Sequence, residues 1–426
     1  MINQAFNRII HSSLIKSFSI YTIAQVINAA IPFLILPVMT TYLTPSDYGI
    51  ISMITTVNAF LVPFVTMKLD TAVVRRYYYK DDDIAKYIGN CIIIVLSLFA
   101  SVNVAFLLTT KFLVRLTSIP YYVLWIIPLF SLCSFFKSIV LYYWQVNNKP
   151  LYFGLLSIIS TALELSISLT LIINLGLNWK GRAIGLFLTA FLVALFAIFY
   201  LTSKGMIKIK IEREMIKHAI RFGSGLVPAA IGSTMITMSD RFFINTLISV
   251  GETGLYSVAC SFASIMSFVT VSFCNAFIPW MFENLSKKTD EANRRIVKIS
   301  YLYMIGIFFI GVVLFFIIRV VFPFFVNSSF NDSFKFIPWL LLGNVFYGCY
   351  LLMINYILYS EKTIYSTLIT FSCGIIGALL NYAFIILMGA IGAALATALT
   401  FAIFFVMTWI IANHVYPMPW IRKKEL

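Results

Sequence analysis

The chain has 426 residues, of which 61% are hydrophobic and only 11% are charged, and its formal net charge is +15. A soluble domain of this length needs far more polar side chains to cover its surface, so the composition excludes an ordinary soluble protein. Apolar runs of about 20 residues, long enough to cross a bilayer as an α-helix, recur along the sequence. Because these runs are continuously apolar rather than alternating, we predict an all-α polytopic membrane protein and not a β-barrel.

Twelve membrane spans are predicted in chain order. They cover about 17–42, 48–67, 88–110, 121–144, 151–174, 183–201, 222–247, 254–280, 296–318, 334–358, 364–387 and 391–412. The start of the chain is polar and basic, and its first apolar run is too long for the core of a signal peptide, so no cleaved signal is expected.

The distribution of basic residues predicts the orientation of these spans. With the N-terminus in the cytoplasm, 23 of the 31 Lys and Arg residues lie on the cytoplasmic side and 6 on the other, and Lys137 and Arg241 fall inside spans. This bias follows the positive-inside rule, so both termini are expected in the cytoplasm. Topology and attraction to anionic lipid then explain most of the positive charge, and no nucleic-acid partner is expected.

The two halves of the sequence resemble each other. Short motifs recur in the same order at offsets of 205, 213 and 207 residues: 43–52 with 248–257, 149–152 with 362–365, and 183–188 with 390–395. Six spans per half is an even number, so both halves insert in the same sense. We therefore predict two six-helix halves, 1–210 and 211–426, related by a parallel pseudo-twofold repeat. This architecture is typical of alternating-access carriers with a site between the halves. The basic segment 202–221 between the halves is predicted to form an interfacial amphipathic helix.

No catalytic or metal-binding pattern is present in the sequence. Phosphate-binding loops, nucleophile elbows and zinc-protease motifs are missing, and the six cysteines are scattered without the spacing of a metal site. We therefore expect a transporter and not an enzyme, with no cofactor. The energy source, such as a proton or sodium gradient, is left open.

Charged residues inside the predicted spans are the strongest functional signal, because a charge at the bilayer centre is costly. Lys137 either extends to the cytoplasmic interface or faces a cavity as a free cation. Glu164 has no basic residue one helical turn away, so a structural hydrogen bond and an ion-coupling role both stay open. Asp240 and Arg241 are adjacent; they either neutralise each other or serve different partners, since neighbouring helical residues point about 100° apart.

A short stretch after the second predicted span, KLDTAVVRRYYYKDDD at 68–83, is unusually rich in charge. Asp81, Asp82 and Asp83 are predicted to form a solvated turn or helix cap. Asp70 is followed five and six residues later by Arg75 and Arg76, close enough for Asp70 to hold an arginine. The sequence thus predicts a gate within 68–77.

Several motifs together resemble the Wzx-type repeat-unit flippases, the polysaccharide-transporter branch of the MOP superfamily. They are YLTPSDYG at 42–49, LDTA at 69–72 followed by RRY at 75–77, and SDRFFI at 239–244 followed by GLY at 254–256. The resemblance covers the whole chain in span number and loop length, although the tyrosine comes before the glycine in the first half, as Tyr48-Gly49, and after it in the second, as Gly254-Leu255-Tyr256. It implies a MATE-like fold and a carrier of undecaprenyl-pyrophosphate-linked oligosaccharide, such as an O-antigen repeat unit. That cargo would cross from the cytoplasmic to the periplasmic leaflet of a bacterial inner membrane. A polysaccharide polymerase and a chain-length regulator would be partners.

The cargo implied by this resemblance assigns roles to the charged residues. The candidates for binding pyrophosphate are Arg241, Lys137, Arg75, Arg76 and Lys68. The candidates for gating or ion coupling are Asp70, Asp240 and Glu164. Two alternatives are kept: a MATE-type multidrug or cation antiporter, which favours acidic residues in its cavity, and a membrane-embedded polymerase or ligase, which needs a large periplasmic loop.

Overall fold

The computed structural model describes residues 24–78, except 25 and 29, and residues 83–420. Every regular element within these residues is helical, because a helix satisfies its own backbone hydrogen bonds in lipid. Eleven of the described helices are long and apolar enough to cross a membrane. The predicted first span, 17–42, lies partly outside the described residues. The chain is therefore an all-α polytopic membrane protein, as predicted.

The chain divides into two compact units, 1–227 and 228–426. In the N-terminal unit, residues 30–34 are helical, and eight further helices and the start of a ninth follow in the described residues. They are α1 (Leu36–Tyr42), α2 (Pro45–Thr66), α3 (Leu69–Tyr77), α4 (Ile84–Thr117), α5 (Tyr121–Leu124), α6 (Ile127–Val146), α7 (Pro150–Ile173), α8 (Asn178–Ser203) and α9 (Arg213–Leu247).

The C-terminal unit begins within α9, at Pro228. Its remaining elements in the described residues are five α-helices and one 3₁₀-helix. They are α10 (Val250–Ser286), α11 (Asp290–Phe325), the 3₁₀-helix Ser328–Phe336, α12 (Ile337–Tyr359), α13 (Thr363–Met388) and α14 (Ala390–Val415).

The first repeated motif marks the start of a helix in each unit. Thr44 caps α2 by accepting a hydrogen bond from the Asp47 amide at 3.2 Å, and the Asp47 carboxylate accepts one from the Thr44 amide at 3.0 Å. This reciprocal capping box, followed by proline at the first helical position, fixes the N-terminus of α2. In the C-terminal unit, Ser249 caps α10 by accepting from the Glu252 amide at 3.2 Å. The acid shared by the two motifs thus lies in the first turn of each helix.

A half-buried polar pair also recurs in the two units. The Ser131 hydroxyl of α6 donates to Asn58 Oδ1 of α2 at 2.7 Å. In the C-terminal unit, the Ser267 hydroxyl of α10 donates to Asn344 Oδ1 of α12 at 2.5 Å. Asn58 and Ser267 are separated by 209 positions, and Ser131 and Asn344 by 213, which matches the offsets of the sequence motifs. The two side-chain types are exchanged between equivalent helix pairs, so the hydrogen bond is retained in both units.

The structure corrects the interpretation of the basic segment between the halves. Residues 206–212 form no regular secondary structure, and helix α9 begins only at Arg213. The reason is that backbone amides of this segment donate to α4: the Lys208 amide to the Ala85 carbonyl at 3.1 Å and the Glu212 amide to Asn90 Oδ1 at 3.1 Å. Once these groups are satisfied from outside, the segment has no need of helical hydrogen bonds.

Candidate functional site

The charged stretch after α2 folds into the short helix α3. Met67 and Lys68 both have left-handed backbone conformation, with φ of 47° and 53°, and they separate α2 from α3. Asp70 lies in the first turn of α3, and Arg75 and Arg76 lie in its last turn. Acids at the start and bases at the end of a helix complement its dipole, which explains the order of charges in the motif.

The two arginines of α3 rest on aromatic rings of neighbouring helices. The guanidinium of Arg75 lies 5.0 Å from the centre of the Phe222 ring of α9. That of Arg76 lies 5.5 Å from the Tyr87 ring of α4, and the Tyr87 hydroxyl hydrogen-bonds with His218 Nδ1 at 3.0 Å. Cation–π contacts of this kind orient a guanidinium without neutralising it. Arg75 is exposed and forms no salt bridge with any described residue.

Asp70 does not contact either arginine, and this corrects the sequence hypothesis for the pair. Five or six residues along a helix place two side chains on different sides, because each residue turns by about 100°. Asp70 is buried, lies close enough to Cys91 of α4 and Tyr142 of α6 for its charge to act on both, and its Oδ1 atom has no hydrogen-bond partner among the described residues. Burial raises the pKa of the Asp70 carboxyl, although Lys68 and backbone amides oppose this.

Lys137 lies in α6, half-buried by protein. It forms neither a salt bridge nor a hydrogen bond with any described residue, and Glu164 acts on its charge only at longer range. A cation held at membrane depth without a counter-ion is costly, so it calls for a ligand or an aqueous cavity to compensate it.

Glu164 has a partner that sequence analysis missed. Its carboxylate forms a salt bridge of 2.7 Å with Arg182 of α8, and Arg182 also donates to the Ser168 hydroxyl at 3.1 Å. The predicted spans 151–174 and 183–201 place Arg182 in the outer loop between them, but α8 begins already at Asn178. Helices α7 and α8 approach closely at Gly185, where an added Cβ would lie 2.1 Å from Ser168 Oγ. The close approach brings the two charges into contact.

Asp240 and Arg241 form a neutralised pair in the C-terminal unit. Arg241 Nη1 lies 3.3 Å from Asp240 Oδ1 and donates to the Thr237 carbonyl at 2.7 Å, so the side chain curls back along α9. The Tyr256 hydroxyl of α10 donates to Asp240 Oδ2 at 2.7 Å and lies 3.2 Å from the Thr397 hydroxyl of α14. Asp240 is only 2% exposed. Tyr256 is the shifted tyrosine of the repeat, and its role depends on packing that sequence spacing does not reveal.

The charged candidates therefore fall into two groups. The acids Glu164 and Asp240 are each held by an arginine, whereas the cations Lys137 and Arg75 form no salt bridge with described residues. No cluster of His, Cys, Asp and Glu in the described part of the chain could hold a metal ion. Apart from the buried Asp70, the candidate charge without a salt bridge among the described residues is positive, and it suits an anionic ligand.

Comparison with known proteins gives three kinds of match. The model of a family described as polysaccharide biosynthesis protein matches residues 14–285. An uncharacterized membrane protein of Haemophilus influenzae is 24% identical over 363 residues, which cover 82% of this chain and 85% of the relative.

Two solved structures share the fold at low sequence identity. The inward closed conformation of the lipid II flippase MurJ has a TM-score of 0.73 and 17% identity, and the match covers 92% of this chain and 87% of MurJ. An inward-facing multidrug resistance MATE family transporter of the MOP superfamily has a TM-score of 0.72 and 13% identity, with 92% and 94% covered. The fold is therefore that of MOP-superfamily transporters, as predicted.

Proposed function

We propose, since this chain belongs to the family of polysaccharide biosynthesis proteins, that it is a flippase for a lipid-linked oligosaccharide. The cargo is an undecaprenyl-pyrophosphate-linked repeat unit of O-antigen or another surface polysaccharide. The protein moves it by alternating access from the cytoplasmic to the periplasmic leaflet of a bacterial inner membrane, with both of its own termini in the cytoplasm. A polysaccharide polymerase and a chain-length regulator act on the product afterwards.

The observation that carries this proposal is the absence of any salt bridge or hydrogen bond from Lys137 to a described residue. A pyrophosphate supplies the negative charge that this cation lacks, and a charge-assisted hydrogen bond to it is among the stronger polar contacts available. Arg75 and Lys68 provide further positive charge at the end of α2 and along α3, where the cargo enters. Arg76 is the third pyrophosphate-binding candidate in the segment 68–77.

Arg241 takes a different place in the proposal. Its guanidinium is engaged by Asp240 and by the Thr237 carbonyl, so it binds pyrophosphate only after that engagement is broken. Asp240 and Glu164 then act as gating groups, each releasing or recapturing an arginine. Asp70 is the gating candidate without such a partner. The coupling ion, a proton or sodium, is not selected by these contacts.

A MATE-type antiporter for cationic drugs is the second candidate, because MATE transporters share the fold. A cationic cargo needs acidic groups that are free to bind it. The intramembrane acids Glu164 and Asp240 are instead held by arginines at 2.7 and 3.3 Å, which favours the anionic cargo.

A polymerase or ligase receives less support. Such an enzyme needs a large external loop. In the described residues the longest connection on the predicted outer side is 326–336, and most of that is the 3₁₀-helix Ser328–Phe336.

Complementation of a flippase-null strain tests the proposed function. Expression of this chain should restore surface glycan and remove the undecaprenyl-linked oligosaccharide that accumulates, as measured by mass spectrometry of the lipid extract. Deletion of its gene in the native host should have the opposite effect. Normal surface glycan in the deletion strain, with no accumulated intermediate, would refute the proposal, and altered drug sensitivity on expression would favour the antiporter.

A further inference from the structure

The non-helical segment 206–212, which we call the first strap, is clamped to the start of α4 by one side chain. Asn90 is fully buried, and its Nδ2 donates to the Lys210 carbonyl at 2.8 Å while its Oδ1 accepts from the Glu212 amide at 3.1 Å. Both ends of one amide thus hold the strap, as a neighbouring β-strand would. The strap cannot rotate about its own axis without losing these bonds.

A glycine lets the strap approach the helix closely. An added Cβ at Gly89 would lie 2.2 Å from the Lys208 carbonyl oxygen, so only glycine fits there. The flanking charges add further contacts: Lys208 lies 3.5 Å from Asp83, and Lys86 lies 3.5 Å from Glu212. The strap therefore presents a fixed outer face.

The C-terminal unit contains an equivalent segment after its own last helix, residues 416–420, which we call the second strap. Its apolar side chains pack against its own unit. The Tyr301 hydroxyl of α11 donates to the Trp420 carbonyl at 2.9 Å. Tyr301 follows Asn90 by 211 positions, and Trp420 follows Lys210 by 210, as expected for the repeat. Trp420 packs on Trp409 with ring centres 5.4 Å apart, and Met418 is buried. This second strap therefore buries apolar side chains against its own unit.

The first strap instead exposes apolar side chains beside basic ones. Ile209 and Ile211 are 73% and 72% exposed, although both belong to a segment whose backbone is fixed. The positions equivalent to Met418 and Trp420 are Lys208 and Lys210, whose side chains are 60% and 69% exposed. The surrounding segment, 203–221, carries six basic and two acidic residues. This surface combines an apolar contact with positive charge, and it follows directly on the membrane span α8.

We propose that the first strap is an anchor that docks on a bilayer surface rich in anionic phospholipid. Ile209 and Ile211 enter the boundary between headgroups and acyl chains, while Lys204, Lys210 and Lys217 contact lipid phosphates. Apolar side chains flanked by lysines bind membranes in this way, because burial of apolar area and attraction to anionic lipid act together. Since the strap is clamped to α4, lipid docking fixes the depth of the first turns of α4. This role is independent of the cargo.

Depth measurement by spin labelling tests the anchor without any transport assay. A nitroxide is attached to Ile211→Cys in the full-length protein, reconstituted in phosphatidylglycerol vesicles or in phosphatidylcholine vesicles. Accessibility to oxygen, which partitions into lipid, is compared with accessibility to a water-soluble nickel chelate. Glu291→Cys, on an exposed first helical turn, is the solvent reference, and Ile248→Cys, an exposed isoleucine with no Lys or Arg within five residues along the chain, is the matched control. Labelled wild-type protein corrects for the native cysteines, most of which are buried.

The label at position 211 should favour oxygen in phosphatidylglycerol and should shift toward nickel access in phosphatidylcholine. The same shift is expected in phosphatidylglycerol when Lys204→Gln and Lys210→Gln are added. The label at Ile248→Cys should show the same ratio of oxygen to nickel accessibility in both lipids. Solvent-like access at position 211 in both lipids, or equal depth in both, would overturn the proposal.

A second measurement covers the case in which labelling disturbs the strap. Phosphatidylglycerol should raise the Tm of the wild-type protein above its value in phosphatidylcholine, because binding to the folded state is stabilising. Ile209→Ser with Ile211→Ser should lose most of this gain, whereas Ile248→Ser should keep it. An unchanged gain in the double variant would also contradict the anchor.

Discussion

Tyr256 donates a hydrogen bond of 2.7 Å to one carboxylate oxygen of Asp240, while Arg241 lies 3.3 Å from the other. The buried carboxylate is thus held from both sides, by α10 and by its own helix. Arg241, which sequence analysis nominated for binding pyrophosphate, is committed to this arrangement. Any step that uses Arg241 must first break these contacts.

Tyr256→Phe should weaken the fold of the C-terminal unit. Loss of a hydrogen bond to a charged group costs about 1.5–3 kcal/mol, against about 0.5–1.5 kcal/mol for a neutral acceptor. Tyr301→Phe is the matched control, because Tyr301 donates to the neutral Trp420 carbonyl at 2.9 Å. Thermal unfolding in detergent should show a larger fall of Tm for Tyr256→Phe. Equal falls of Tm for the two variants would mean that the hydrogen bond to Asp240 contributes no more stability than one to a neutral carbonyl.

Charge exchange between Glu164 and Arg182 should show whether this salt bridge serves stability alone or also transport. Either single reversal leaves two like charges in contact and should cost about 3 kcal/mol or more of stability. The double variant Glu164→Arg with Arg182→Glu restores the pair and should recover the Tm. If transport also recovers, the pair is structural; if only the Tm recovers, Glu164 has the gating role. Failure of the double variant to regain stability would contradict the salt bridge.

Lys137→Gln should impair transport without loss of stability. Removing a half-buried cation that has no salt bridge among the described residues relieves a desolvation cost, so the Tm should be equal or higher. Loss of a charge-assisted contact with pyrophosphate, about 1.5–3 kcal/mol, should reduce transport about 10- to 100-fold. Lys137→Arg keeps the charge and should retain part of the activity. Full transport by Lys137→Gln at normal protein levels would remove Lys137 from the site.

Asp70 should make stability depend on pH. Burial raises the pKa of the folded state above the ordinary value of about 3.9, so the folded protein binds a proton more tightly than the unfolded chain. Stability from this group is therefore full at acid pH, and it falls as pH rises from the unfolded-state pKa to the folded-state pKa. Asp70→Asn should be more stable than the wild-type protein at neutral pH, and the gap should close on acidification. A gap that is constant with pH would contradict the burial of an ionisable Asp70.

Asp83 should show the opposite dependence and serves as the control. Desolvation tends to raise its pKa, but the Lys86 amide and the Lys208 ammonium outweigh it, and the pKa of Asp83 is lowered. Its contribution to stability is present above the unfolded-state pKa and is lost as pH falls through the folded-state pKa. Asp83→Asn should therefore be less stable than the wild-type protein at neutral pH, and the two should converge in acid. If the stability difference from the wild-type protein changed with pH in the same direction for both variants, local environment would not set the directions of the two pKa shifts.

The sequence by itself determined the helical class, the repeat and some of the helix starts, such as Pro150, Thr363 and Ala390. Lipid offers no hydrogen bonds to a backbone, so a long apolar run has to be a helix, and a motif such as TPSD caps its own helix through contacts three residues apart. Asp83 was correctly predicted as part of a helix cap for the same reason. These features depend on neighbours in the chain.

Only the tertiary structure decided which charges are neutralised. Arg182 reaches Glu164, and Tyr256 reaches Asp240, from other helices, and Asn90 holds a strap 120 positions away. Such contacts depend on how closely two helices pack, and Gly181 and Gly185 permit the close packing of α7 and α8. The spacing of residues in a helix determines which side chains share a face, but not which residues of other helices that face contacts. That Lys137 forms no salt bridge with a described residue therefore follows only from the tertiary structure.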